Sequence, residues 1–131
     1  MTEIITVGNL PHARRLPPAE VVRARLLALL PKWDDERRHQ DHRGAPWQYS
    51  ELRRRIGGHH PTALFREVWD QLLYEGKALE VWTWDRSGQP HHFALTPADF
   101  SRFDWGNAIV QVRAIAPILE RLGLSRLDSP F

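Results

Sequence analysis

The 131-residue chain is 42% hydrophobic and 26% charged, with a net charge of +2 and no cysteine. That balance describes one globular domain long enough to bury its own core, and it excludes disulfides and thiolate metal sites. No apolar run reaches the length that spans a bilayer, and the opening MTEIITVGNLPHARR lacks the basic-then-apolar order of a secretory signal, so the expectation is a cytoplasmic protein.

Residues 1–17 read as an N-terminal arm, in which Thr2–Gly8 suits a short strand or a frayed tail equally well. Pro18 and Glu20 fit the first turn of a helix. Val21, Val22, Arg25, Leu26, Leu29 and Leu30 follow at helical spacing until Pro31 stops it. Lys32–Pro46 is a polar connection, long for a compact domain, closing with Gly44 and Pro46.

Ser50 is the expected N-cap of a helix over Glu51–Ile56. Leu52 and Ile56 would share its buried side, with Arg53, Arg54 and Arg55 fanning over the remainder. Gly57 and Gly58 would end it. Pro61 then opens a longer helix over Pro61–Glu75, whose apolar pairs Leu64–Phe65, Val68–Trp69 and Leu72–Leu73 recur every four residues. Gly76 is its expected terminator.

Leu79–Trp84 and His91–Thr96 are rich in strand-favouring residues and flank the turn DRSGQP, which predicts a β-hairpin. Trp82 would lie on one strand face and Leu79 and Val81 on the other. Trp82, Trp84 and His92 then form an exposed aromatic patch or pack against the C-terminal helices, the second being favoured. Thr96, Pro97 and Asp99 suit the N-cap, first and third positions of a short helix through Phe100 and Phe103. The spacing of Trp105, Ile109, Val112, Ala116 and Leu119 predicts a final helix over 105–122, bent at Pro117. This segment either covers its own domain or forms a two-fold dimer.

The order of elements from Trp47 to Thr96 resembles the winged helix-turn-helix superfamily. The fold class expected is therefore mainly α with a small antiparallel β-hairpin: a winged helix over residues 18–96, followed by a C-terminal helical extension over 97–131. The resemblance implies that the second helix of the motif enters the DNA major groove while the wing touches an adjacent groove or the backbone. Carried onto this chain, it makes Thr62, Ala63, Arg66 and Glu67 the base-facing positions, with Arg66 the best candidate to grip guanine. An Arg66–Asp70 pair along the helix is the competing role. Arg53, Arg54 and Arg55, with His59 and His60 at the turn, would hold phosphates, and Arg86 at the hairpin tip would reach a minor groove or the backbone.

Charge supports a basic patch there. Residues 37–60 hold six arginines against Asp41 and Glu51, a local charge of +4 that leaves −2 for the rest of the chain. The function expected is sequence- or structure-selective binding of double-stranded DNA, as a small transcriptional regulator or DNA-associated accessory factor without cofactor or catalysis. One alternative is a winged helix used as a protein-interaction module, motivated by Trp82, Trp84 and the apolar C-terminal segment. A metal-dependent nuclease comes third. Asp34, Asp35, Glu36, His39, Asp41 and His42 offer ligands for it, but no metal-binding or nucleophile motif accompanies them.

Overall fold

A computed structural model describes residues 17–34, 45–57, 60–105 and 109–124. The strand considered for Thr2–Gly8, most of the 32–46 connection and the end of the tail lie outside them.

Helix α1 (Pro18–Leu29) begins with a proline, whose absent N–H leaves no helical bond unmade at that position. The Pro17 carbonyl accepts from the Glu20 and Val21 N–H groups at 3.0 and 3.1 Å. Val22, Leu26 and Leu30 are buried, and Pro31 falls within a tight 3-10 turn, Leu30–Lys32, that follows the helix.

Strand β1 (Trp47–Gln48) leads directly into helix α2 (Tyr49–Gly57). This start corrects the expected Ser50 cap, because Ser50 already lies inside the first turn. Glu51 supplies the contact instead, its Oε1 accepting from the Gln48 N–H at 3.4 Å, which is one half of a capping box. Leu52 and Ile56 are buried as their spacing requires.

Helix α3 (Thr62–Tyr74) has Pro61 as its N-cap residue and Glu75 as its C-cap, so it begins one residue later and ends one residue sooner than the expected Pro61–Glu75. Phe65, Val68, Trp69, Leu72 and Leu73 are buried and Leu64 is half-buried. Each of these large side chains contributes roughly 1.5–3 kcal/mol on leaving water. Gly76 ends the helix at φ 77°. Its N–H donates to Leu73 O at 3.0 Å and that of Lys77 to Leu72 O at 2.9 Å, satisfying two terminal carbonyls.

Strands β2 (Leu79–Trp84) and β3 (Pro90–Leu95) pair antiparallel around the Asp85–Gln89 turn. After β3, helix α4 (Pro97–Phe100) is capped by Thr96, whose Oγ1 accepts from the Asp99 N–H at 3.1 Å, as the sequence predicts.

The predicted helix over 105–122 is instead strand β4 (Ile109–Arg113) and a short helix α5 (Ala116–Arg121). Ile109, Val110 and Val112 favour a strand, and β2 offers an open edge on which all five residues find partners, Glu80 opposite Arg113 through Trp84 opposite Ile109. Pro117 bends no long helix; it sits in the first turn of α5, where a proline fits.

The molecule is therefore a mixed α/β structure with a four-stranded antiparallel sheet in the order β1-β3-β2-β4, and not a lone hairpin. Two apolar clusters flank the sheet. One joins α1, Trp47, α2 and α3. The other packs Leu79, Val81, Leu95 and Val112 against Ala114, Ile118 and Leu119 from the C-terminal segment of the same chain, with Phe103 touching both. The C-terminal residues thus cover the sheet face carrying Leu79 and Val81. Alternation puts Glu80, Trp82 and Trp84 on the opposite face.

Candidate nucleic-acid interface

Successive residues on a helix turn by about 100°, so three consecutive arginines on α2 point in three directions. Arg53 Nη1 donates to Thr62 Oγ1 at 3.3 Å and so leans toward the start of α3. The Arg55 guanidinium lies 5.3 Å from the centroid of Trp47, on the side where α1 and β1 meet. Trp47 is itself fixed there by its Nε1 donating to Leu29 O at 3.1 Å. Arg54 falls between them and is exposed. Together they form a cationic edge across α2 that runs from the start of α3 toward α1.

His60 is half-buried beside that edge, and Thr62, Ala63 and Glu67 are exposed on α3. Arg86 is exposed at the hairpin tip. His59 lies outside the described residues, as do Asp35, Glu36, His39, Asp41 and His42 of the metal alternative. Among the described residues no three histidines or acids gather to hold a metal ion.

Arg66 faces a different environment. Its Nη1 donates to Tyr49 Oη at 3.0 Å and its Nε lies 3.4 Å from Asp70 Oδ1, the pairing weighed against base contact in the sequence. Burial lowers the Arg66 pKa, but the Tyr49 bond and the charges of Glu80 and Asp70 outweigh it, and the guanidinium is held above its ordinary value. In front of it, Ala63, Arg66, Glu67, Asp70, Gln71, Tyr74 and Glu75 line an open depression of about 730 Å³. Three of these are acids, so the outer side of α3 does not favour phosphate.

Behind Arg66 stands a buried polar network that pattern reasoning missed. Glu80 is 0% exposed. Its Oε2 accepts from Trp69 Nε1 at 2.9 Å and from Arg113 Nη1 at 2.8 Å, while His92 Nε2 lies 2.6 Å from Oε1. Arg113 Nη1 also reaches Asp70 Oδ1 at 3.2 Å, which ties the network to α3. Burial alone would raise the Glu80 pKa; the bonds from His92, Trp69 and Arg113 overcome it and keep the carboxyl below its ordinary range. His92 is stacked between Tyr49 and Trp82, with ring centroids at 4.6 and 4.3 Å. The aromatic patch therefore does not pack against the C-terminal helices: those cover the other face, and Trp82 stacks on His92. The one signal of this network in the sequence is a lone acid inside the apolar strand LEVWTW.

At the hairpin tip, the Asp85 carboxylate accepts from the Ser87 hydroxyl at 2.6 Å and from the Gln89 and Ser87 N–H groups, both at 2.9 Å. These bonds pull its pKa down to about 2, with a further contribution from His91. Asp85 is thus bound up in holding the turn, on which Arg86 stands outward.

No protein-family model matches this chain, and comparison with curated proteins and with solved structures also returns no match. Among the described residues no helix is long and apolar enough to cross a membrane.

Proposed function

We propose that this chain is a winged-helix protein that binds double-stranded DNA in the cytoplasm, as a small transcriptional regulator or accessory factor. The arginine edge of α2 carries this reading. Arg53 stands beside the start of α3, the position from which a helix-turn-helix holds phosphates and fixes its register on the duplex, and Arg54 and Arg55 continue the positive charge across α2 toward α1. The element order adds support: helix, short strand, two helices and a hairpin, with β1 pairing to the second hairpin strand.

In this account affinity comes mainly from the α2 edge, with Arg86 as a wing contact. Helix α3 contributes shape and the exposed Thr62 and Ala63, since Arg66 is held by Tyr49 and Asp70. Titration of a labelled duplex at about 50 and 200 mM salt tests it. Wild-type protein binds at the lower salt, and replacing all three arginines by alanine removes most of the affinity. A wild type that binds no duplex at low salt refutes the reading.

A second reading, a winged helix serving as a protein-interaction module, has its own observation in favour. Trp82 and Trp84 lie half-buried on the sheet face that the C-terminal segment leaves open, beside an acidic α3 surface on which Tyr74 is 75% exposed. Co-purification of a protein partner, with no affinity for nucleic acid, selects this reading.

A further inference from the structure

Helices α1 and α2 enclose a groove of about 310 Å³ lined by Arg25, Ala28, Leu29, Lys32, Arg55 and Ile56. Among the described residues that line it, Arg25, Lys32 and Arg55 are cationic and none is acidic. Arg25 and Lys32 are seven positions apart, two helical turns, and Ala28 and Leu29 lie between them along the same stripe. Some cations of the molecule face carboxylates: Arg23 meets Glu75, Arg102 meets Asp99, and Arg113 meets Asp70 and Glu80. Arg25 instead donates one Nη1 bond, at 3.4 Å, to the Ile56 carbonyl at the end of α2. A guanidinium has five N–H donors, so this bond orients the group and leaves donors for a ligand. Lys32 has no ion pair among the described residues. Arg25 and Lys32 thus bring two positive charges to the rim of an apolar floor, and an anion set between them is attracted to both.

We propose that this groove is a second phosphate site, which takes a backbone phosphate of the same duplex that the α2 arginines hold. The inference rests on the DNA reading above and extends it to α1. Arg55 lies on the α2 edge and also lines the groove, so one strand of backbone passes from Arg53 and Arg54 over Arg55 to Arg25 and Lys32. Cations near helix C-termini also stabilise the helix dipole without any ligand. That role affects stability alone, whereas phosphate binding affects the salt dependence of DNA affinity.

The experiment titrates a labelled duplex with wild type, Lys32→Ala and Arg25→Gln/Lys32→Gln across a salt series, with thermal unfolding of each variant alongside. Lys32 is exposed and its single replacement leaves the fold intact, which keeps the test valid if the double variant is unstable. The slope of log affinity against log salt falls by about 0.9 for each phosphate that is no longer neutralised, so loss of the one groove phosphate lowers it by about 1 in the double variant and by a fraction of that in Lys32→Ala. Calorimetry with inorganic phosphate shows no saturable binding. If wild type binds duplex and the arginine triple variant does not, but both groove variants keep wild-type affinity and slope, the groove proposal fails and the DNA reading stands. Inorganic phosphate binding that depends on Arg25 and Lys32, with duplex affinity unchanged, also overturns it in favour of a free-anion site. A wild type that binds no duplex overturns both.

Discussion

Glu80 Oε1 and His92 Nε2 meet at 2.6 Å across the β2–β3 pair, with the carboxylate removed from water. They are diagonal neighbours, since Glu80 stands opposite Ala94 and His92 opposite Trp82, and long side chains bridge that offset. Trp69 from α3 and Arg113 from β4 donate to the second oxygen. One carboxylate thus ties three strands of the sheet to the helix in front. Glu80→Ala leaves these donors facing an apolar void and lowers unfolding free energy by about 3–5 kcal/mol. Glu80→Gln keeps an acceptor and costs roughly 1–3 kcal/mol. Urea denaturation of the two variants checks the size and the order.

The same group sets a pH response. The folded-state pKa of Glu80 is lowered from 4.5, so its contribution to stability is complete above that value and is lost as pH falls through the folded pKa. Wild-type stability therefore declines on acidification below about pH 5, and Glu80→Gln shows a shallower decline over that interval. Unfolding midpoints measured from neutral pH downward decide this; parallel curves for the two proteins contradict it.

Arg66 tests the division of labour between α2 and α3. Its bond to Tyr49 and pairing with Asp70 are half-exposed, so Arg66→Ala costs about 0.5–1.5 kcal/mol of stability. Duplex affinity changes far less than in the α2 triple variant. An affinity loss equal to that of the triple variant assigns Arg66 to the bases instead.

Two glycines separate backbone strain from steric fit. Gly76 and Gly88 both have positive φ, 77° and 84°. A Cβ at Gly76 meets Ile115 Cδ1 at 3.2 Å, whereas one at Gly88 meets nothing within 4 Å. Both alanine variants carry the left-handed cost of about 1–2 kcal/mol. Gly76→Ala exceeds Gly88→Ala because the Ile115 side chain must also shift. Melting temperatures of the pair read the difference.

Local chemistry made the helical half legible in the sequence. Pro18, Pro61, Gly76 and the Thr96–Asp99 cap mark boundaries that depend on neighbours only a few residues away. Strand β4 was not legible because five residues with apolar Ile109, Val110 and Val112 satisfy a helical or a strand spacing, and the edge of β2 that decides between them lies far earlier in the chain. The polar network was hidden for the same reason. His92 and Arg113 stand 12 and 33 residues from Glu80 and meet it only through strand register. The arginine run of the candidate interface is plain in the sequence, whereas Arg25 and Lys32 join it only when α1 packs on α2.

If the α2 edge holds DNA, as we propose, backbone amide NMR shifts recorded as duplex is added change most in residues 49–57 and 60–63. Further changes appear at Arg25, Lys32 and Arg86, and little change at Trp82, His92 and Gln111. Changes concentrated on that aromatic sheet face, with residues 49–57 unmoved, contradict the proposal.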